Sequence, residues 1–204
     1  MNLPNALTIT RIFLVPLLLV VLLTGNFPDR EAWGFVVFLA AAMTDYLDGY
    51  LARRRSQVTT LGKLLDPIAD KILISAALVA LVQLGIAPGW MVIIVIGREF
   101  AVTGLRSIAS AEGVTIAASA LGKYKMVSQV ACCSCLIAGS SYPESMLLFL
   151  GKLLLWVVVA LAIISMIYYF RTFWYQIGES TKKKHDKDQN RKLELLDGQK
   201  ARMR

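Results

Sequence analysis

Six mostly apolar stretches run along the chain, separated by short polar or Gly/Pro-containing breaks. Their lengths approach the roughly 20 residues that carry an α-helix across a bilayer. The pattern predicts helices over Asn5–Leu23, Ala32–Ala52, Leu64–Leu84, Trp90–Ala111, Ala118–Ala138 and Met146–Tyr175. The breaks carry turn chemistry: Gly25-Asn26-Phe27-Pro28, Gly85-Ile86-Ala87-Pro88-Gly89 and Gly139-Ser140-Ser141-Tyr142-Pro143. Alternating segments of about ten residues are missing, which argues against an outer-membrane barrel. No small-residue cleavage pattern follows the first apolar run, so no cleavable signal peptide is expected. The expected fold class is all-α, a polytopic membrane protein with six transmembrane helices.

Composition agrees. Of 204 residues, 56% are apolar and 18% charged, against roughly 45–50% and 25% in soluble domains. This excludes an ordinary soluble domain, a disordered chain and a disulfide-stapled secreted module. Cys132, Cys133 and Cys135 lie together in an apolar run without zinc-ligand spacing, so they are read as packing residues. His185 lies in a charged tail and is read as solvated.

The net charge of +8 is unevenly spread. Glu179–Arg204 holds nine basic and five acidic residues. This tail is expected to form a short amphipathic helix around Arg191–Leu196 or to stay solvated, and its lysines suit anionic lipid. Elsewhere Arg11, Arg53, Arg54, Arg55, Lys63, Arg106, Lys123 and the Arg171–Lys184 region fall on one set of helix ends. The other set holds Arg30 beside Asp29, Glu31 and Glu144. The basic side is expected to face the cytoplasm, with both termini there.

Four of the nine acids before residue 179 fall within 26 residues: Asp45, Asp48, Asp66 and Asp70. On helices, an i, i+3 pair lies about 60° apart and an i, i+4 pair about 40° apart, so each pair shares a face. The first pair ends the second helix and the second opens the third, so these helices are expected to be neighbours. Four carboxylates gathered at a membrane edge resist joint ionisation unless cations neutralise them. Their hard oxygen donors suit Mg²⁺ or Mn²⁺. They are enough for a two-metal site, which suits in-line attack at phosphorus. Gly49 and Ala52 clear space beside the acids, and Arg53, one turn beyond Gly49, can reach a phosphate. The structural alternative is an intramembrane ion-pair network of Asp45 and Asp48 with Arg53 and Lys71. The cost of burying so many ionisable groups favours function. Arg54 and Arg55 read as positive-inside anchors.

The spacing D-x2-D-G-x2-A-R-x8-G-x3-D-x3-D, filled by Asp45, Asp48, Gly49, Ala52, Arg53, Gly62, Asp66 and Asp70, resembles the signature of the CDP-alcohol phosphotransferases. The resemblance implies a six-helix membrane enzyme, a homodimer, with a cytoplasm-facing metal site. It implies that Asp45, Asp48 and Asp66 bind metal, and that Asp70 both contacts metal and acts as base. Pro4-Asn5-Ala6-Leu7-Thr8 looks like the family's nucleotide-side element before the first helix, which points to Asn5 and Thr8. Thr59 matches a position contacting the CDP portion. Asp66-Pro67-Ile68-Ala69-Asp70-Lys71, Gly97-Arg98-Glu99 and Gly122-Lys123 look like the bacterial branch that makes phosphatidylglycerol phosphate. Residues 1–177 are then the family's membrane domain and 178–204 a charged cytoplasmic tail. The implied reaction joins CDP-diacylglycerol and sn-glycerol 3-phosphate in the bacterial inner membrane, among membrane lipids and without a nucleic-acid partner.

Arg98 follows eight mostly apolar residues, so it sits well within a span, where an uncompensated charge is costly. Glu99, next in sequence, faces elsewhere on an ideal helix and is expected to be a poor partner; a phosphate is a natural one. Arg106 and Lys123 are candidates for the same acceptor phosphate, with snorkelling as the alternative. Lys125 is read as snorkelling. One rival reading changes the acceptor to inositol phosphate, serine or phosphatidylglycerol. The basic residues count against serine. Another is a cation-coupled transporter using the four acids as a pathway, although no internal repeat supports it.

Overall fold

The computed structural model describes the backbone of residues 3–24, 29–55, 60–111, 114, 121–142 and 144–202. Side chains are described for residues 10–24, 29–44, 68–69, 71–111, 114, 124–142, 144–176 and 178. The described residues form six helices and no strand. These are α1 (Leu3–Leu23), α2 (Arg30–Arg55), α3 (Thr60–Gln83), α4 (Gly89–Ala111), α5 (Leu121–Gly139) and α6 (Met146–Arg202).

Local chemistry accounts for the helix ends. After α3, Gly85 takes φ 72°, a left-handed conformation that costs glycine nothing. The Ile86 N–H then reaches Leu81 O and the Gly85 N–H reaches Val82 O, both at 2.9 Å. This is a Schellman end, and Pro88 just beyond it prevents continuation. At the start of α6, Ser145 Oγ accepts the Leu148 N–H at 3.2 Å and donates to Gly139 O at 3.2 Å. It therefore caps α6 and ties its start to the end of α5.

The sixth helix differs from the expectation. It does not stop near Tyr175 but continues to Arg202. Lys, Glu, Gln, Arg and Leu dominate its distal half, and these residues lose little rotamer freedom in a helix. Helicity there follows from backbone propensity and needs no apolar stripe.

The chain forms two units. The first comprises Met1–Glu99 with Ser119–Ile163, the second Phe100–Ala118 with Ile164–Arg204. Leu18, Leu22, Phe38, Ala41, Ala77, Leu81, Val95, Leu136 and Leu155 lie in the first unit's core. In it α2 and α3 pack together, α1 packs on both, and α5 packs on α2 and α3. Where α5 meets α6, a side chain on Gly151 would come within 2.9 Å of the Leu136 backbone nitrogen, so only glycine permits this approach. Buried Cys132 donates to Gly151 O at 3.5 Å, and Cys133 is buried as well. In the second unit, Val102 and Ala109 of α4 bury against Tyr169 and Phe173 of α6.

Large apolar side chains also lie on the outside, among them Ile93, Val127, Phe149 and Trp156. Helices apolar on both inner and outer faces suit lipid surroundings. Among the described residues one helix, Met146–Gln176, is long and apolar enough to cross a membrane. Thr10–Leu23 and Lys71–Gln83 are shorter apolar helical segments.

Candidate active site

Each core helix buries a seam of residues spaced alternately three and four apart, the spacing that keeps positions on one side of a helix. On α1 the buried members are Arg11, Val15, Leu18 and Leu22. On α2 they are Gly34, Phe38 and Ala41, and on α3 Leu73, Ala77 and Ala80.

The signature positions continue these seams. Along α2 the series 34, 38, 41 extends to positions 45, 48 and 52, occupied by Asp45, Asp48 and Ala52. Along α3 the series 80, 77, 73 extends back to 70 and 66, occupied by Asp70 and Asp66. All these positions have helical backbone. The expectation that α2 and α3 are neighbours holds, because the two helices are in contact. Only residues 56–59 separate them, so the Cα atoms of residues 55 and 60 are at most about 18 Å apart. The acids therefore occupy seam register at the joined ends of two packed helices. Four carboxylates in that register fit hard divalent cations, since every donor is oxygen.

Other expected residues fall as follows. Asn5 and Thr8 lie in the first turns of α1, within the helix expected from Asn5 onward. Position 8 joins the α1 seam directly before Arg11. Gly49 and Arg53 are on α2 and Lys123 is on α5. The side chains of Asn5, Thr8, Asp45, Asp48, Gly49, Ala52, Arg53, Asp66, Asp70 and Lys123 lie outside the described set, and Thr59 lies outside the described residues. Among the described residues no group of three or more His, Cys, Asp or Glu side chains is arranged to hold a metal ion.

Arg98 is buried, as its position in a span implied. It continues the α4 seam of Met91 and Val95. The expectation for Glu99 is overturned: Arg98 Nη1 lies 3.5 Å from Glu99 Oε2. Adjacent helix positions diverge by about 100°, but the long arginine arm folds back far enough to meet its neighbour. Lys125 does not snorkel either. It is buried and its Nζ is ion-paired with Glu99 Oε1. Gln129, one turn on, donates from Nε2 to the same oxygen at 3.3 Å. Lys125, Gln129, Cys132 and Leu136 are successive buried positions of the α5 seam. Arg106 is exposed and belongs to the second unit.

Two buried groups were missed from sequence. Arg11, read as a positive-inside residue, is fully buried, and Lys125, read as snorkelling, is buried in the α5 seam. In both cases the seam spacing to Val15 and Leu18, or to Cys132 and Leu136, was the available signal.

The family model described as CDP-alcohol phosphatidyltransferase matches residues 1–177. The CDP-diacylglycerol–glycerol-3-phosphate 3-phosphatidyltransferase of Bacillus subtilis (strain 168) is 41% identical over 190 residues, covering 88% of this chain and 98% of that protein. The protein of the same name from Rickettsia felis is 36% identical over 171 residues, covering 83% of this chain and 94% of its own. A cardiolipin synthase (CMP-forming) of Oryza sativa subsp. japonica is 35% identical over 195 residues, covering 85% of this chain and 58% of that protein.

Proposed function

Since the chain belongs to the CDP-alcohol phosphatidyltransferase family, we propose that it transfers the phosphatidyl group of CDP-diacylglycerol to sn-glycerol 3-phosphate. The products are phosphatidylglycerol phosphate and CMP. The observation that carries the reading is the complete aspartate signature in seam register on α2 and α3. Likeness to the Bacillus subtilis protein along 98% of that protein supports the acceptor. Family membership removes the transporter alternative.

Asp45, Asp48, Asp66 and Asp70 hold the metal, two Mg²⁺ or Mn²⁺ ions. Bound there, the ions supply neutralisation of the diphosphate and of the departing CMP. Asp70 accepts the proton of the acceptor hydroxyl as that oxygen attacks the phosphorus attached to diacylglycerol. The bond from this phosphorus to the CMP oxygen breaks. Arg53 binds the diphosphate with its planar fork. Asn5, Thr8 and Thr59 bind the nucleotide, and Gly49 and Ala52 leave the backbone open to it. Arg98 and Lys123, both of the first unit, bind the acceptor phosphate.

The same reading makes all six helices membrane spans of a bacterial inner-membrane homodimer, with the termini and the site cytoplasmic. The Arg30–Glu31 ion pair at 2.9 Å supports this orientation, because it offsets the one arginine on the opposite side. Residues 1–177 are the catalytic membrane domain and 178–204 its charged tail.

Likeness to the rice cardiolipin synthase favours phosphatidylglycerol as the second acceptor to test. Purified protein with CDP-diacylglycerol and Mg²⁺ is offered glycerol 3-phosphate, phosphatidylglycerol, inositol phosphate or no acceptor. CMP release with glycerol 3-phosphate alone is the expected result. Release with another acceptor instead would reassign the substrate, and no release with any would overturn the reaction.

A further inference from the structure

We propose that Glu99 is a positioning residue for acceptor recognition, its carboxylate holding Arg98 in place from the neighbouring helix α5. The proposal rests on the reading above that Arg98 meets the acceptor phosphate.

The two carboxylate oxygens do different jobs. Oε1 takes the Lys125 ammonium and the Gln129 amide, which lie one turn apart on the same side of α5. Those contacts come from a second helix, so they fix the carboxylate against rotation. Oε2 meets Arg98 Nη1 at 3.5 Å, the longest of the three contacts. Arg98 shares its helix with Glu99, so this contact turns the arginine arm back toward its neighbour on α4 and helps to place the guanidinium.

An unrestrained arginine side chain carries much rotamer entropy. A group already held in the bound arrangement loses less of that freedom when a phosphate arrives. Arg98, Lys125 and Gln129 are all buried, so each occupies a place in the seam where rearrangement is costly. An interhelical tie alone would be satisfied by Lys125 and Glu99. The additional contact to Arg98 is what connects the tie to the acceptor.

The test compares full-length Glu99→Gln, Glu99→Asp, the double variant Glu99→Gln/Lys125→Met, and Arg98→Ala. KM is measured separately for glycerol 3-phosphate and CDP-diacylglycerol. Misplacing a recognition group by about 1 Å can cost up to 10²-fold. Glu99→Gln is therefore expected to raise the glycerol 3-phosphate KM by about 10-fold or more, with the CDP-diacylglycerol KM within about twofold of wild type. Glu99→Asp, which keeps the charge, should recover part of the loss. The double variant removes the lysine that Glu99→Gln would strand in the core, and its KM for glycerol 3-phosphate should stay high.

Return of that KM to wild type in the double variant would overturn the proposal, because Glu99 would then serve only to neutralise Lys125. An equal rise in both KM values with Glu99→Gln would overturn it too. If Glu99→Gln does not fold, the charge-balanced double variant decides by the same criterion. Arg98→Ala separates the two levels. If it leaves the glycerol 3-phosphate KM unchanged, the acceptor assignment of Arg98 falls, and the positioning role with it. If it raises that KM while Glu99→Gln does not, the acceptor assignment stands and only the positioning role is lost.

Discussion

Replacing Arg98 by alanine should weaken glycerol 3-phosphate binding while leaving the fold and the CDP-diacylglycerol site in working order. The structure explains why the fold survives. Removing one member of a buried ion pair usually strands the other, at about 3–5 kcal/mol. Glu99 is not stranded here, because Lys125 and Gln129 still engage its Oε1. The acceptor, by contrast, loses a direct charge partner. A charge-assisted contact to phosphate contributes about 1.5–3 kcal/mol, or roughly 10- to 150-fold in affinity. Arg98→Lys should recover only part of this, since a point charge cannot reproduce the two-pronged guanidinium.

Initial-rate CMP release, with each substrate varied in turn, reads the effect. Plain glycerol is the control. It should be a poor acceptor for wild type and lose little further in Arg98→Ala, because the phosphate that Arg98 would meet is already absent. Equal weakening of both substrates, or an unfolded variant, would show that Arg98 is structural. The acceptor phosphate would then be sought at Lys123.

Asp45→Asn, Asp48→Asn and Asp66→Asn should each abolish turnover and leave the metal-free protein as stable as wild type or more so, since each relieves repulsion among neighbouring carboxylates. Near-normal activity at ordinary Mg²⁺ would remove that residue from the ligand set. Asp70→Asn should retain substrate binding and lose turnover by about 10²–10⁴-fold; wild-type turnover would refute its role as base. Gly151→Ala would drive a Cβ to within 2.9 Å of the Leu136 nitrogen and 2.7 Å of its Cδ2. It should destabilise the protein by about 1–3 kcal/mol, read as a lower Tm in detergent; an unchanged Tm would mean that α5 and α6 are less closely packed.

What could be read from sequence was whatever depends on neighbours along the chain. Helix positions, the glycine end of α3 and the i, i+3 and i, i+4 pairing of the aspartates all follow from local periodicity and turn chemistry. At the level of the backbone they agree with the structure, save for α6, which runs on past Tyr175 to Arg202. Asp45 and Asp48, with Asp66 and Asp70, stand out in the sequence as a candidate site because their spacing matches a helix and their clustering is costly without a ligand. Even the seams were written in the chain, since Arg11 stands at the right distance from Val15 and Leu18, and Lys125 from Cys132 and Leu136.

What only the tertiary structure decided was which seam faces which. Glu99 meets Lys125 and Gln129 across 26 and 30 positions of sequence, and no local rule states that this side of α5 turns toward α4. The same holds for Arg98 and Glu99, whose side chains diverge on an ideal helix and meet because packing leaves the arginine arm a path back to its neighbour. A residue's helical phase is set by the backbone within a few bonds. Its partner is set by how whole helices pack, and that choice belongs to the assembled core.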